Sequence, residues 1–177
     1  MISAGNQEVG KSCLIKRYCE GRFIKKYIST IGIDYGVKRL SVKGYSVAVN
    51  FFDLSGCEEF RAIRSDFYAD AQGCIMVFDL NNRDSFAALP SWEAEMRSHG
   101  LDISRLKVVL CANRSDLKGR EVSADEAKKF ANKRGYELFE TSSMTGDNVP
   151  DAFEWLFHAV VNRVIEDRRR LGLPTEF

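Results

Sequence analysis

The stretch Gly5-Asn6-Gln7-Glu8-Val9-Gly10-Lys11-Ser12 follows a short apolar run, Met1-Ile2-Ser3-Ala4, and opens the helical pattern Cys13-Leu14-Ile15-Lys16-Arg17-Tyr18. It fits G-x-x-x-x-G-K-[ST] in strand, loop, helix order, and no other segment constrains the fold as tightly. Gly5 and Gly10 let the backbone wrap an anion with its N–H groups inward, and the helix that follows turns its positive end to the same point. A polyphosphate suits that cradle. Lys11 would neutralise the outer phosphates, and the Ser12 hydroxyl would ligate a magnesium ion shared with them. A chance glycine-lysine turn would match the letters but would lack the strand and helix on either side. The leading run is short for a central strand, which points to a trimmed N-terminus.

The chain has 177 residues, enough for one domain with a substantial core and too few for two, so residues 1–177 are expected to form a single domain. Its 26 basic and 25 acidic residues leave a net charge of +1, which argues against a nucleic-acid binder working by bulk electrostatics. No apolar run approaches the ~18 residues of a membrane span, and no signal peptide precedes the first strand. A cytoplasmic, monomeric protein is the expectation. The five cysteines, Cys13, Cys19, Cys57, Cys74 and Cys111, show no C-x-x-C spacing, which disfavours a disulfide framework and a zinc site. Cys74 and Cys111 lie in apolar runs and read as buried thiols. His99 and His158 are the only imidazoles.

Strand-like and helix-like segments alternate along the chain. After a helix to about Cys19 and a polar stretch reaching Thr30, residues 37–42 and 45–52 read as an antiparallel hairpin through Lys43-Gly44. The continuous apolar runs 74–78 and 107–112 are the pattern of parallel strands covered on both faces, with a shorter candidate at 136–140. Helices are expected over 85–98, kinked or delayed by Pro90, from the capping box at Ser123 to about Arg134 before Gly135, and from Asp151 to about Arg169. That last segment carries the stripe Phe153, Leu156, Phe157, Val160, Val161, Val164. The sum is an α/β three-layer sandwich with about five helices and a mostly parallel six-stranded sheet with one antiparallel edge strand. Ligands in that architecture sit at the carboxyl ends of the strands.

Three further motifs fall at strand ends. Asp53-Leu54-Ser55-Gly56 offers a carboxylate that can hold magnesium through a water and a Gly56 N–H that can reach a terminal phosphate. Asn113-Arg114-Ser115-Asp116 offers a carboxylate that can accept from guanine N1–H and its exocyclic amine, a pairing that adenine leaves unmade. In Thr141-Ser142-Ser143 a backbone N–H can meet the guanine carbonyl. Each alone is also an ordinary turn.

Taken in order, with Thr30-Ile31-Gly32-Ile33-Asp34-Tyr35 between the first two, these motifs resemble the Ras-superfamily small GTPases over essentially the whole chain. The phrase Thr-Ile-Gly-Ile-Asp followed by an aromatic looks like the Rab branch. Ile31 to Gly36, the helix after Lys11, and Cys57 resemble the divergent Rab-J-like subgroup, whose animal members carry an added J domain. The resemblance implies a P-loop fold that binds GTP or GDP with Mg2+. Gly5, Asn6, Gln7, Glu8, Val9, Gly10, Lys11, Ser12 and Cys13 would hold the phosphates, Ser12 and Thr30 the metal, and Asp53 the metal through a water. Phe23 would stack on the guanine edge, Asn113 and Asp116 would read the base, and Ser142 and the Ser143 N–H would complete the pocket. Arg114 and Met144 stand where the family has lysines, and the Arg114 stem can still cover the base. Ile31, Ile33, Tyr35, Phe52 and Phe67 would meet effector and exchange-factor proteins, or Tyr35, Phe52 and Phe67 would simply form an aromatic core edge.

Departures from the pattern concern catalysis. Cys57, followed by Glu58 and Glu59, replaces the glutamine that orients the attacking water, and a thiol lacks the amide's fixed donor and acceptor. Gln7 replaces a glycine of the phosphate loop, with Glu8 beside it. Ordinary family members hydrolyse GTP on the order of 10⁻⁴ per second unaided, and these changes slow the step further unless Glu58 or Gln7 takes over the water. Lys11, Thr30, Gly56, Cys57 and Glu58 are therefore the candidate catalytic set. Two outcomes stay open, a slow GTPase switch and a non-hydrolysing GTP-binding module. An ATP-using enzyme is disfavoured by Asp116. The sequence shows no cysteine after Cys111 and so no prenylation signal. Arg168-Arg169-Arg170 reads as a helix end that complements the dipole.

Overall fold

The computed structural model describes residues 1–23 and 29–175. Part of the polar stretch before Thr30, residues 24–28, lies outside the described residues, as do residues 176–177. The strands are β1 (Ile2–Ala4), β2 (Ile33–Val42), β3 (Tyr45–Leu54), β4 (Gly73–Asp79), β5 (Lys107–Asn113) and β6 (Glu137–Glu140). They form one sheet in the order β2-β3-β1-β4-β5-β6, parallel throughout except for the β2–β3 pair. All seven residues of β4 are buried, as are the last six of β5. That burial on both faces is why they read as unbroken apolar runs.

β2 starts four residues before the expected 37, because the pairing with β3 continues through Tyr35↔Phe52 and Asp34↔Asp53 to Ile33↔Leu54. The segment read only as a motif, residues 33–36, is thus an edge strand beside Asp53. Its side chains are mostly exposed, so no alternation of apolar residues marked it.

The helices are α1 (Lys11–Glu20), α2 (Arg61–Ser65), α3 (Arg83–Ala87), α4 (Leu89–Ser98), α5 (Ala124–Arg134) and α6 (Val149–Arg170). α3 and α4 are one kinked segment broken at Ala88, with Pro90 in the first turn of α4 where its missing N–H costs nothing. A single 3-10 turn, Glu58–Phe60, and α2 were not expected from the sequence. On one face Leu14 of α1 and Val149, Phe153, Leu156, Phe157 and Val160 of α6 cover Ile75, Val77 and Val109. Tyr18 stacks on Phe153 with centroids 4.6 Å apart, worth about 0.5–1.5 kcal/mol beyond burial. On the other face Phe86, Leu89, Trp92, Met96, Ala127 and Ala131 cover Cys74, Met76, Phe78 and Leu110. Cys74 and Cys111 are fully buried free thiols as expected, and burial pushes Cys111 up to about 12.

Candidate functional site

β1 ends at Ala4, and residues 5–10 turn at once into α1. Gly10 is left-handed (φ 98°), and a Cβ there would lie 2.2 Å from Asn113 Nδ2, so a side chain is excluded twice over. The N-termini of α1 and α5 are finished differently. At α5, Ser123 Oγ accepts from the Glu126 N–H at 3.2 Å, with Asp125 and Glu126 in the first turn. α1 has no side-chain cap and no acidic residue in its first turn, which leaves its positive end to an external anion. Lys11, 6% exposed, donates from Nζ to the Gly5 carbonyl at 2.8 Å and the Asn6 carbonyl at 2.9 Å. Its third N–H remains for a phosphate. Burial pulls the Lys11 ammonium down to about 8, with Asp53 opposing the shift. Gln7 and Glu8 are exposed, and the Cys13 thiol is raised by burial.

Three oxygen-bearing side chains are the candidate metal ligands. Ser12 Oγ and Thr30 Oγ1 lie 2.9 Å apart and hydrogen-bond to one another. Asp53, 4% exposed, accepts from Ser3 Oγ at 2.7 Å, and the same Ser3 oxygen accepts from the Leu54 N–H at 3.0 Å. Hydroxyls and a carboxylate are hard ligands suited to magnesium. Ser3 is the buried residue that aims Asp53, and nothing in the sequence singled it out.

The base-side residues gather at the ends of β5 and β6. Asn113, fully buried, donates from Nδ2 to the Val9 carbonyl at 2.8 Å, while its Oδ1 accepts from the Ser143 N–H at 3.1 Å. It ties the phosphate loop to the loop after β6. The Ser143 N–H, expected at the guanine carbonyl, is bonded to Asn113, and Asn113, expected to read the base, also joins these two loops. Asp116 is exposed, with Oδ1 accepting from Ser142 Oγ at 2.6 Å, so one carboxylate edge is steered and the rest is available to a donor pair. Arg114, itself left-handed at φ 64°, donates to Asp79 Oδ2 at 2.8 Å and to the Glu8 carbonyl at 2.7 Å. Its stem therefore crosses from the β4 end to the phosphate loop. Met144 is 53% exposed, and Phe23 is half-buried.

The outer-phosphate side is built differently. Gly56 packs so closely on the phosphate loop that a Cβ would fall 2.4 Å from the Gln7 nitrogen. The Cys57 N–H donates to Ser55 Oγ at 3.3 Å, and the Cys57 carbonyl accepts from Arg64 Nη1 at 2.5 Å. Arg64, 1% exposed, forms a bidentate pair with Glu95 of α4, both contacts at 2.7 Å. Its guanidinium lies 4.5 Å from the Trp92 ring, whose Nε1 donates to Asn6 Oδ1 at 2.9 Å. Burial would raise Glu95 and lower Arg64; the hydrogen bonds between them, with Tyr68 also donating to Glu95 at 2.5 Å, outweigh it and hold both charged. Glu58, a candidate for positioning water, spends Oε1 on Arg61 at 3.0 Å and Oε2 on Arg64 at 3.2 Å. Glu95 sits on the apolar stripe Leu89, Trp92, Met96, and a charge in that position was the overlooked signal of this pair.

Of the expected partner-facing residues, Ile31 and Tyr35 are exposed, while Ile33, Phe52 and Phe67 are half-buried. Tyr35, Phe52 and Phe67 form a row with successive centroids 5.2 and 5.0 Å apart. Among the described residues no cluster of three or more His, Cys, Asp or Glu side chains could hold a metal, and no helix is long and apolar enough to cross a membrane.

The sheet order, the uncapped α1 terminus and the loops around it define a P-loop nucleotide-binding protein. A sequence model of the Ras family matches residues 1–162, and the chain belongs to that family of small, guanine-nucleotide-binding GTPases. It is 45% identical over 167 residues to DnaJ homolog subfamily C member 27 of Rattus norvegicus and 44% identical over 167 residues to that of Gallus gallus. Each match covers 92% of this chain and 61% of the relative, so the chain spans about three-fifths of the length of these relatives. Their DnaJ name agrees with the Rab-J-like resemblance.

Proposed function

We propose that this chain is a magnesium-dependent guanine-nucleotide switch whose GTP form presents the 31–35 edge and the Phe52–Phe67 row to effector and exchange-factor proteins, and that it hydrolyses GTP slowly. Lys11 and the loop amides of residues 5–13 hold the phosphates, and Asp116 selects guanine. Ser12 and Thr30 ligate the metal, with Asp53 behind a water; the metal neutralises phosphate charge. The observation that carries the reading is the buried Asn113, which ties the phosphate loop to the loop that steers Asp116. Both ends of one nucleotide are thereby addressed from one strand end.

A non-hydrolysing module is the second reading. It is favoured by one observation: both Glu58 oxygens are committed to arginines, and Cys57 supplies no amide. Denaturing the purified protein and identifying the released nucleotide, then following GTP in the intact protein with magnesium over a day, tests both. GDP accumulating at a rate below on the order of 10⁻⁴ per second supports the slow switch. Unchanged GTP supports the module, and no guanine nucleotide overturns both.

A further inference from the structure

Arg17 is half-buried in the last turn of α1 and carries no expected site role. All three of its guanidinium nitrogens donate to backbone carbonyls. Nη1 reaches Gly21 at 3.1 Å, at the C-cap of its own helix; Nε reaches Ser143 at 3.0 Å; and Nη2 reaches Met144. Its stem packs where a Cβ on Gly146 would lie 3.7 Å away. Among the described residues no carboxylate pairs with it, so two of its three nitrogens serve the loop and the third its own helix end.

The loop it grips is wound on Ser142. The Gly146 N–H donates to the Ser142 carbonyl at 2.8 Å, the Thr145 N–H donates to Ser142 Oγ at 3.0 Å, and that hydroxyl donates to Asp116 at 2.6 Å. A guanidinium fixed on two successive carbonyls sets the position of the next residue back, Ser142, and through it the direction of the Asp116 carboxylate. The Met144 side chain offers no charge of its own to hold the loop, and the support comes from beneath, from the helix that carries the phosphate loop.

We propose that Arg17 is a positioning residue for guanine recognition: it clamps the Ser143 and Met144 carbonyls so that Ser142 holds Asp116 toward the base. The proposal rests on the nucleotide reading above. Arg17 touches no nucleotide atom itself. Lysine at this position is a point donor without the planar fork, so it restores only part of the clamp.

The test compares GDP with inosine diphosphate, which lacks the exocyclic amine that pairs with Asp116. Dissociation of both is measured on the wild-type chain, Arg17→Ala, Arg17→Lys and Ser142→Ala, each checked by thermal unfolding. Arg17→Ala should speed GDP release about tenfold and inosine diphosphate release by only about twofold, shrinking the preference for guanine. Arg17→Lys should fall between. Ser142→Ala should reproduce the loss, and the double variant Arg17→Ala with Ser142→Ala should add little to either single change, because both act on one carboxylate. Equal acceleration of the two nucleotides, or additive effects in the double variant, would show plain loosening of the loop and overturn the proposal. A wild-type protein that binds neither nucleotide overturns the nucleotide reading itself, and a wild type that binds both with unchanged variants overturns only the clamp.

Discussion

The two sides of the phosphate loop differ in what their side chains are tied to. On the base side Asn113, Ser142, Ser143 and Arg114 bond to one another's loops and leave the outer face of Asp116 open to a ligand. On the outer-phosphate side the Cys57 carbonyl and Glu58 bond to Arg64 of a buried Arg64–Glu95 pair, and Trp92 beside that pair reaches the loop only at Asn6. Guanine selection and phosphate cleavage are chemically separate tasks, and on the proposed reading they would draw on different residues. One can keep the family pattern while the other departs from it at Gln7 and Cys57.

The largest expected effect lies on the base side. Asp116→Ala should weaken GDP binding by about 10⁴-fold, ~5.5 kcal/mol, because guanine N1–H and its amine lose a charged acceptor in a site shaped to pair them. Competition between GDP and ADP measures it, and the preference for guanine should vanish with the affinity. Retained guanine preference would move base reading away from Asp116 and dissolve the contrast between the two sides.

Next is the buried pair. Glu95→Ala leaves Arg64 with its bidentate partner gone at a site 1% exposed, which should cost about 3–5 kcal/mol of stability by urea unfolding. The double change Arg64→Met with Glu95→Leu should recover most of it, since removing both charges removes the penalty. GDP affinity should stay within about twofold in both variants, because the base side shares no partner with this pair. A parallel loss of GDP affinity would mean that the two networks are one.

Restoring the family's residues probes the same side with a smaller effect. Cys57→Gln with Gln7→Gly should raise single-turnover hydrolysis about tenfold to a hundredfold, 1.4–2.7 kcal/mol of barrier. Nucleotide affinity should be unchanged. A flat rate would place the obstacle in the packing of Gly56 on Gln7, or in the Arg64 grip on the Cys57 carbonyl, instead of in the missing amide.

How much of this was legible in the sequence follows the same division. The phosphate loop, Asp53, Asp116 and the buried strands are local: a spacing of glycines and a lysine, a carboxylate at a strand end, a run of apolar residues. Their neighbours in sequence are enough to read them. The pairs that decide how the loops are held join residues far apart in the chain, Ser3 with Asp53, Arg17 with Ser143, Arg64 with Glu95. Each partner looks like an ordinary polar surface residue until the fold brings it to the other. The bond from the Ser143 N–H to Asn113 is hidden for the same reason, because its two ends are 30 residues apart in the chain.

The smallest effect isolates the phosphate end without any mutation. Burial holds Lys11 near 8 against an ordinary 10.5, and a phosphate at Nζ would raise it again. Affinity is then full below that value and falls as pH rises through it, by about fivefold between about pH 7.5 and about pH 8.8 for a Lys11 pKa of about 8. Folding stability should move the other way. The unfolded chain keeps its Lys11 proton up to the ordinary value while the folded chain sheds it from about 8, so this group adds stability as pH rises over the same interval. The phenols of Tyr68 and Tyr136 are raised by burial and titrate above the window. GDP titrations and urea unfolding at the two pH values should therefore diverge, weaker binding with firmer folding. If both fall together, Lys11 is not the group that titrates, and the phosphate end is held by the α1 terminus and loop amides alone.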